Sequence, residues 1–326
     1  MKPTHLLVFR LSSLGDVAMC VPVIMTALAQ NPTLKIDFVA PQMMHDFFPD
    51  HPRLKLITFD KKKTHEGLVG IYRFFSTLDI SSYDAMIDLH DVLRSQILKV
   101  LFKFKGIKTV SVDKGRKEKK ALVQHNPFSP LKLMPERYAD TFRRLGLEVN
   151  LKHQLTDFHS LKVDKTNAIG IAPFAAHPGK MYDITKMKEV VLALQKKYSI
   201  KIFGSKQDLD SIESWEEMHN VSFVKESSFA DELKVIKSLQ VMVSMDSANM
   251  HLASLVGVPV ISIWGVTHPY AGFLGYGQSE DLIVQDETLP WRPTSIFGHQ
   301  LGPADNPNGL QQISPQQIIE KVNSVI

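Results

Sequence analysis

Short apolar runs alternate with segments of helical spacing along the first half of the chain. The runs predicted as strands cover residues 6–11, 35–40, 54–59, 83–89 and 108–112. Between them, apolar residues at helical spacing predict helices from Asp16 to about Gln30 and at 67–78, 91–104 and 136–146. Strands that are apolar throughout are typical of parallel sheets covered on both faces. The alternation therefore predicts an α/β domain.

The alternation fades into polar sequence at residues 151–165 and then restarts. Strands are predicted at 168–172, 200–203, 221–224, 241–245 and 258–264. Helices are predicted at 184–198, 208–219, 229–239 and 247–256, and a last helix begins at Ser314 and Pro315. Residues 286–312 are rich in Pro, Gly and Asn, which predicts a surface loop. Two similar α/β halves, residues 1–155 and 156–326, are the simplest interpretation, with the site expected in the cleft between them.

The composition is that of a soluble globular protein kept in a reducing compartment. A chain of 326 residues suits two domains of ~150 residues each. Cys20 is the one cysteine, so no intrachain disulfide can form. No run approaches the ~18–20 apolar residues of a membrane span, and the first residues lack the apolar run of a signal peptide. We therefore expect a cytoplasmic protein.

The net charge of +4 is modest, and its basic excess is local. One cluster lies at residues 61–63, and a second at 113–120 has five basic side chains in eight positions. Both clusters have two interpretations: solvated loop surface, or a landing site for anionic lipid or an anionic acceptor. Aromatic residues do not alternate with either cluster, which argues against nucleic-acid binding.

Polar residues follow the first predicted strand, where parallel sheets place their ligands. The stretch 12–17 reads S-S-L-G-D-V. Asp16 has two interpretations there: a helix N-cap, or a carboxylate that takes a proton from an acceptor hydroxyl. Gly15 allows a ligand to approach the backbone closely.

Three further stretches in the second half have candidate ligand-binding chemistry. Lys180 ends a Pro- and Gly-containing loop and is either a surface lysine or a point charge for a diphosphate. Asp208 is either a helix cap or an acceptor for ribose hydroxyls, and its D-x-D pair with Asp210 is explained by the helix start. The stretch 246–251, D-S-A-N-M-H, begins a helix whose N-terminus suits phosphate. The loop at 265–267 offers backbone amides, and His251 is either pocket-lining or a core histidine.

Several common sites are excluded by missing motifs. No G-x-G-x-x-G follows the first strand, and the chain has no G-x-x-x-x-G-K-[ST]. These absences argue against a nicotinamide dinucleotide site and a P-loop. The zinc motifs H-E-x-x-H and paired cysteines, and the G-x-S-x-G elbow, are also missing.

Two signatures resemble those of the ADP-heptose:lipopolysaccharide heptosyltransferases, glycosyltransferase family 9. Residues 12–17 match the family's S-S-L-G-D-V. Residues 246–269 resemble its D-[ST]-G-x-x-H…P…G-x-T-x-P, with Ala248 in place of the usual glycine. The likeness keeps its order over nearly the whole chain. A second departure is that Ala175 and Ala176 stand where some members have hydroxyl residues. Both departures leave the donor open.

The resemblance implies a GT-B architecture, in which two Rossmann-like domains face each other across a cleft. The N-terminal domain would take the acceptor and the C-terminal domain the nucleotide sugar. The last helix, at about 314–326, is expected to pack back toward the N-terminal domain. The resemblance also implies an inverting transfer with no cofactor and no essential metal.

Individual residues inherit roles from the same resemblance. Asp16 falls on the proposed catalytic base. The implied donor-binding positions are Lys180 for phosphate, Asp208 for ribose, Asp246 for the donor sugar, and Ser247, Ala248 and His251 on a phosphate-binding turn. Gly265 and Thr267 complete the expected donor site. Expected contacts with an anionic acceptor or the membrane are Ser13, Gly15, Arg116, Lys117, Lys119 and Lys120.

The sequence therefore predicts an inverting glycosyltransferase that moves a sugar, expected to be heptose from ADP-heptose, onto a lipid-linked lipopolysaccharide-core acceptor. Peripheral contact with the inner leaflet of the cytoplasmic membrane belongs to this expectation. Two alternatives stay open: a nucleotide-sugar-binding partner in envelope assembly that has lost transfer, and a nucleotide-sugar epimerase of the same architecture.

Overall fold

A computed structural model of the chain describes residues 2–326. It divides into two compact units, Met1–Lys114 with Met134–Lys152, and Gly115–Leu133 with His153–Ile326. The second unit thus includes residues 115–133, which the linear division at residue 155 assigns to the first domain. The change of unit after Lys152 falls within the polar stretch where the hydrophobic pattern fades.

The first unit is built on a five-stranded parallel sheet in the order β3-β2-β1-β4-β5. Its strands are β1 (His5–Phe9), β2 (Lys35–Ala40), β3 (Leu54–Thr58), β4 (Ala85–Asp88) and β5 (Lys108–Ser111). The helices up to residue 143 are α1 (Leu14–Ala18), α2 (Val21–Gln30), α3 (Gly67–Ser76), α4 (Leu93–Phe104), α5 (Arg116–Val123) and α6 (Met134–Arg143). On one face of this sheet, α3 and α4 bury Phe74 and Phe102 in a core with Leu7 and Phe9.

The single helix predicted from Asp16 to Gln30 is two helices. Helix α1 ends at Ala18, and α2 starts at Val21 with Pro22 in its first turn. Proline has no backbone N–H, which costs nothing at the start of a helix but breaks its interior. The break therefore falls where the sequence places Pro22.

The second unit has a six-stranded parallel sheet in the order β11-β10-β9-β6-β7-β8. Its strands are β6 (Ala168–Ala172), β7 (Ser199–Ile202), β8 (Val221–Phe223), β9 (Val241–Met245), β10 (Val260–Trp264) and β11 (Ile283–Gln285). Its remaining helices are α7 (Ile184–Leu194), α8 (Lys206–Asp210), α9 (Phe229–Ser238), α10 (Ala248–Leu255) and α11 (Pro315–Asn323). The predicted helix at 208–219 is only α8 and a 3₁₀ turn at Glu213–Trp215.

Residues 115–133 pack on the second unit through apolar and aromatic contacts. The Leu131 amide donates to the Tyr270 carbonyl, and the Phe128 ring contacts those of His268 and Tyr270. The Lys119 ammonium lies 4.2 Å from the centre of the Phe273 ring. These contacts account for the assignment of the segment to the second unit.

One face of helix α11 is buried within the second unit, and its expected packing toward the first domain stays a prediction. It lies against α7 and β10, and its buried residues Ile318 and Val322 belong to the core formed with Val190 and Ile263. The apolar face of α11 is therefore buried against α7 and β10. Among residues 2–326, no helix has both the length and the apolar character that a membrane span needs.

Candidate functional site

The first candidate site lies at the carboxyl edge of the five-stranded sheet, after the adjacent strands β1 and β4. Arg10 and the stretch 12–16 follow β1, and His90 follows β4. Parallel strands end at the same edge, so side chains from the two loops meet there. Ser12 Oγ and His90 Nε2 are 3.2 Å apart.

Asp16 is the best-held carboxylate of this edge. The N-cap of α1 is Ser13, so Asp16 is the third helical residue and not the N-cap that the sequence suggested. Its Oδ2 accepts from the Ser13 amide at 3.1 Å and the Ser13 hydroxyl at 2.8 Å. Arg10 Nη2 lies 2.6 Å from the same oxygen, and the Tyr138 hydroxyl donates to Oδ1 at 3.3 Å. These donors favour the charged carboxylate and fix its position.

Arg10 supports Asp16 from within the protein. Its side chain is only 6% exposed, and it also donates to the carbonyls of Ser12 and Leu89. Burial alone would lower the pKa of the guanidinium, but the charge of the Asp16 carboxylate and its hydrogen bond raise it above its usual value. Burial likewise raises the pKa of Tyr138 well above its usual value, so the phenol stays a neutral donor. Asp16 is thus held by a permanent cation.

His90 is a neutral side chain beside this pair. Burial, together with the positive charges of Arg10 and Lys114, lowers its pKa to about 3. Asp88, the last residue of β4, accepts from the amides of His90 and Asp91, and its own burial raises its pKa. The loop after β4 is therefore held without adding a cation next to Asp16.

Arg10, Tyr138 and His90 were not singled out from the sequence. Arg10 is the one charged residue of the apolar run at 6–11, and His90 follows a buried strand directly. A charged residue inside an apolar run and a histidine directly after a buried strand could have identified both residues as candidates. Tyr138 gave no local signal, because its approach to Asp16 depends on how α6 packs.

The second candidate site lies at the carboxyl edge of the six-stranded sheet. Strands β10, β9, β6 and β7 are consecutive neighbours, so the loops that follow them lie side by side. Lys180, after β6, places its ammonium 2.8 Å from Asp246 Oδ2, after β9. Thr267, after β10, donates its hydroxyl to the same carboxylate at 2.9 Å. The structure therefore brings together three predicted donor-site residues.

The N-terminus of α10 begins directly beside Asp246. Its N-cap Ser247 has extended backbone and makes no side-chain cap, since its hydroxyl lies 3.2 Å from that of Ser244. In the second unit, side chains cap the first amides of α7, α8, α9 and α11, whereas α5 and α10 have no such cap. Helix α10 thus leaves its first amides to other partners, as anion-binding helix ends do.

Ala248 and His251 take ordinary places in α10. Ala248 is the first helical residue and is not among the positive-φ residues of the chain, so replacing the family's glycine causes no backbone strain here. His251 is a buried residue of the same helix. Burial does not separate the two interpretations of His251, because Asp246 of the candidate site is buried to the same extent.

The loop at 265–267 packs closely against the loop that contains Gly179. Its backbone amides are therefore not all available to bind phosphate. The Val266 amide donates to the Gly179 carbonyl, which removes it from the amides expected to face phosphate. A Cβ on Gly265 would lie 2.2 Å from the Gly179 oxygen and 2.6 Å from the Asn308 oxygen, so only glycine fits. Gly265 therefore serves the close approach of two loops.

The buried side chain of Arg292 binds the backbone of the loop at 265–267. It is 2% exposed and donates to the carbonyls of Trp264, Gly265, Thr267 and Asp286. Burial lowers its pKa to about 10, so it stays charged at neutral pH. This corrects the prediction that residues 286–312 are surface loop. Their polar composition reflects an irregular segment that is partly buried against the site.

The same segment encloses Lys180. A Cβ on Gly298 would lie 2.6 Å from Lys180 Cγ, so the Gly298 backbone covers the lysine stem. Beside the loop is an open cavity of about 490 Å³, whose lining includes Ala175, Ala176 and Met181. This volume lies within the range of small-ligand pockets. The two alanines make the near wall of the cavity apolar.

Asp208 has the contacts of a helix cap. It is the third residue of α8, and its Oδ2 accepts from the Ser205 amide at 3.0 Å and the Ser205 hydroxyl at 2.7 Å. Asp210 is paired with Lys206. No group of three or more His, Cys, Asp or Glu side chains within residues 2–326 is arranged to hold a metal ion.

Residues 116–120 of the basic cluster are helical, which the sequence did not predict. Arg116, Lys117 and Lys120 are exposed on α5. Lys119 is buried, with its ammonium against the Phe273 ring, and its expected role as a contact for acceptor or membrane stays a prediction. Helical periodicity separates it from its three neighbours. Ser13 and Gly15 lie at the start of α1, beside Asp16.

Comparison with known proteins identifies the class to which these sites belong. Residues 71–287 match the family described as "Glycosyltransferase family 9 (heptosyltransferase)". Over 285 residues the chain is 21% identical to "Lipopolysaccharide core heptosyltransferase OpsX" of Haemophilus influenzae, a match that covers 82% of this chain and 80% of that one.

Solved structures agree with this result. "E. coli heptosyltransferase WaaC with ADP" superposes with a TM-score of 0.72 at 18% identity, over 99% of this chain and all of that one. "E. coli heptosyltransferase WaaC with ADP-2-deoxy-2-fluoro heptose" gives a TM-score of 0.70 at 18% identity, over 98% of this chain and 99% of that one. The expected GT-B class, with two Rossmann-like parallel-sheet domains, is confirmed.

The fold and the family match define a glycosyltransferase. The chain belongs to glycosyltransferase family 9, the heptosyltransferase family. The resemblance read from the two signatures is thereby confirmed, as is the prediction that the protein is an enzyme.

Proposed function

We propose that this enzyme transfers heptose from ADP-heptose to a lipid-linked lipopolysaccharide-core acceptor, with inversion and with Asp16 as general base. The observation that carries the proposal is the setting of Asp16. It is a charged carboxylate at the carboxyl end of β1, fixed by Arg10 and Ser13 and 21% exposed. A general base needs this combination of a fixed position and access to the proton it removes.

The proposed step is a single displacement. Asp16 takes the proton from the acceptor hydroxyl while that oxygen forms a bond to the anomeric carbon of the donor. The bond from that carbon to the diphosphate breaks on the opposite face, and the electron pair leaves with ADP. General-base assistance of this kind contributes about 10²–10⁴-fold to the rate.

The donor half of the proposal rests on the edge of the second sheet. Lys180 would neutralise the diphosphate, and the first amides of α10 at Ser247 and Ala248 would face it. Asp246, buried and bound to Thr267, would meet the donor sugar. Asp208 would accept from ribose hydroxyls. The two WaaC structures contain ADP and ADP-2-deoxy-2-fluoro heptose, which supports this donor class.

The acceptor half rests on the names of relatives and on exposed charge. The Haemophilus relative is named for the lipopolysaccharide core. Arg116, Lys117 and Lys120 are exposed and would bind carboxylates or phosphates of such an acceptor, with Ser13 and Gly15 close to the reacting hydroxyl. No metal takes part in this scheme, so the expected rate with a chelator equals the rate without it.

The test is transfer assayed with purified protein, ADP-heptose and isolated inner-core acceptor, with the anomeric configuration of the product read by NMR. ADP release that requires acceptor, and a product of inverted configuration, is the expected result. Parallel calorimetric titrations with ADP, GDP and UDP identify the nucleotide. A preference for UDP or GDP would reject ADP-heptose as donor.

The same assay separates the two alternatives. An epimerase would convert the nucleotide sugar without any acceptor. A binding partner that has lost transfer would bind the nucleotide and release no ADP with any acceptor. Retention of a fully held Asp16 favours transfer over both.

A further inference from the structure

Helices α3 and α4 expose an unusual number of large apolar side chains. Val69 is 73% exposed, Leu93 76% and Phe104 84%. The six exposed apolar residues of the two helices are Leu68, Val69, Tyr72, Leu93, Val100 and Phe104. Single exposed apolar residues need no explanation, but a grouped set marks a binding surface.

These residues lie on the outer surface of one layer. The opposite surfaces of α3 and α4 are buried in the same core on one face of the five-stranded sheet. The two helices pack together, and the rings of Phe75 and Phe102 meet edge to face at 5.4 Å. Both outer surfaces therefore point away from the sheet on the same side. We refer to the six exposed residues as the α3–α4 face.

Basic side chains outnumber acidic ones around the α3–α4 face, although Glu66 is the N-cap of α3 and Asp91 lies just before α4. Residues 92–112 include five basic side chains and no Asp or Glu, namely Arg94, Lys99, Lys103, Lys105 and Lys108. The exposed Phe104 stands directly between two exposed lysines of this set. The basic residues 61–63 lie in the loop before α3, and that helix has an arginine and no acid. Apolar side chains beside flexible cations suit a partner with an anionic surface and an apolar interior.

We propose that the α3–α4 face docks the enzyme on the surface of an anionic phospholipid bilayer. The apolar side chains would enter the boundary between headgroups and acyl chains, while the lysines extend to lipid phosphates. The inference rests on the proposed function only in that a lipid-linked acceptor gives the docking a purpose. It differs from the expected contact through α5, whose large apolar residue Leu122 is buried.

The test is co-sedimentation of the full chain, without any nucleotide sugar, with vesicles of phosphatidylethanolamine and phosphatidylglycerol. Vesicles of phosphatidylcholine alone are the uncharged control. The double substitution Phe104→Ser with Lys105→Gln should weaken partitioning about tenfold, and Val69→Ser with Tyr72→Ser should do the same. The matched control, Leu192→Ser with Lys196→Gln on exposed positions of the second unit, should leave it unchanged.

Three outcomes would overturn the proposal: no wild-type binding to the anionic vesicles, equal loss in the control variant, or binding that depends instead on Arg116, Lys117 and Lys120. A dimer in sedimentation velocity that the Val69→Ser and Tyr72→Ser variant abolishes would assign the face to a second copy. Transfer to a delipidated acceptor fragment should be unchanged in the two variants of the α3–α4 face and in the Leu192→Ser with Lys196→Gln control. Because binding is measured without donor, failure of the proposed transfer and failure of docking are seen separately.

Discussion

Asp16 and Asp208 occupy the same local structure in the two units. Each is the third residue of a five-residue helix that follows a buried parallel strand. Each accepts from the amide and the hydroxyl of a serine three residues earlier, at 3.1 and 2.8 Å in one case and 3.0 and 2.7 Å in the other. The short motif S-x-x-D therefore fixes the same cap twice.

The two carboxylates differ in what the rest of the fold brings to them. Asp16 meets the buried guanidinium of Arg10 and the phenol of Tyr138, whereas the contacts of Asp208 are those of its cap. Local sequence thus sets the geometry of a carboxylate, and tertiary packing decides whether it is prepared for chemistry. This difference supports the proposal that Asp16 takes the proton and Asp208 binds the donor.

Substituting Asp16 should have the largest effect. Asp16→Asn keeps the shape of the cap but removes the base, so turnover should fall by about 10²–10⁴-fold. Steady-state transfer assays measure it. Asp208→Asn is the matched control because it makes the same chemical change in the same local structure. Equal losses of turnover in the two variants would end the distinction between the two acids.

Lys180 extends the comparison to the donor, because it would neutralise the diphosphate that leaves. Arg10 donates to two carbonyls as well as binding Asp16, whereas Lys180 is a point charge paired with Asp246, and in the proposed site its ammonium would also bind the diphosphate. Lys180→Gln should lower kcat/KM by about 10²–10³-fold, because a preorganised charge on the departing diphosphate is lost. Lys206→Gln, at an exposed lysine paired with Asp210, is the control. Unchanged kinetics in Lys180→Gln would remove the lysine from the site.

Arg10 is the side chain that distinguishes the first acid from the second. Arg10→Lys keeps the charge but loses the fork that binds Asp16 and the carbonyls of Ser12 and Leu89. We expect kcat to fall about tenfold and the free energy of unfolding to drop by about 1–3 kcal/mol. Turnover and chemical denaturation measure the two effects. The exposed Arg144, changed to Lys, should show neither, and a silent Arg10→Lys would contradict the positioning role.

The smallest effect concerns pH and His90. Its folded pKa of about 3 lies below the ordinary 6.5, so the unfolded chain takes up a proton first as pH falls. Stability is therefore full above pH 6.5 and is lost progressively toward pH 3. His90→Asn should reduce that loss by roughly 1 kcal/mol at about pH 5.5. Denaturation at several pH values measures it, and exposed His219→Asn should leave the slope unchanged.

The architecture was predictable from the sequence because its strands are buried and its helices amphipathic. Strands β2, β6 and β9 match the predicted bounds. Helix α5 was missed because four basic residues mask its apolar positions, and the three-residue strand β11 was also missed. The use of residues 115–133 by the second unit depends on long-range packing, which no local pattern reports.

The sites were predictable in part for the same reason. Lys180, Asp246 and Thr267 follow neighbouring strands, so their convergence follows from the order of strands in the sheet. Arg292 was hidden in a segment with the composition of a surface loop. Tyr138 reaches Asp16 only through the packing of α6. A residue that supports a site far away in sequence produces no hydrophobic pattern that would reveal its role.

The central claim is that chemistry and donor binding are divided between the two acids. Calorimetric titration of the wild type, Asp16→Asn and Asp208→Asn with ADP-heptose tests it most directly. The account predicts that Asp16→Asn binds the donor as the wild type does, while Asp208→Asn binds it severalfold more weakly. Loss of donor affinity in Asp16→Asn, with wild-type affinity in Asp208→Asn, would contradict the assignment.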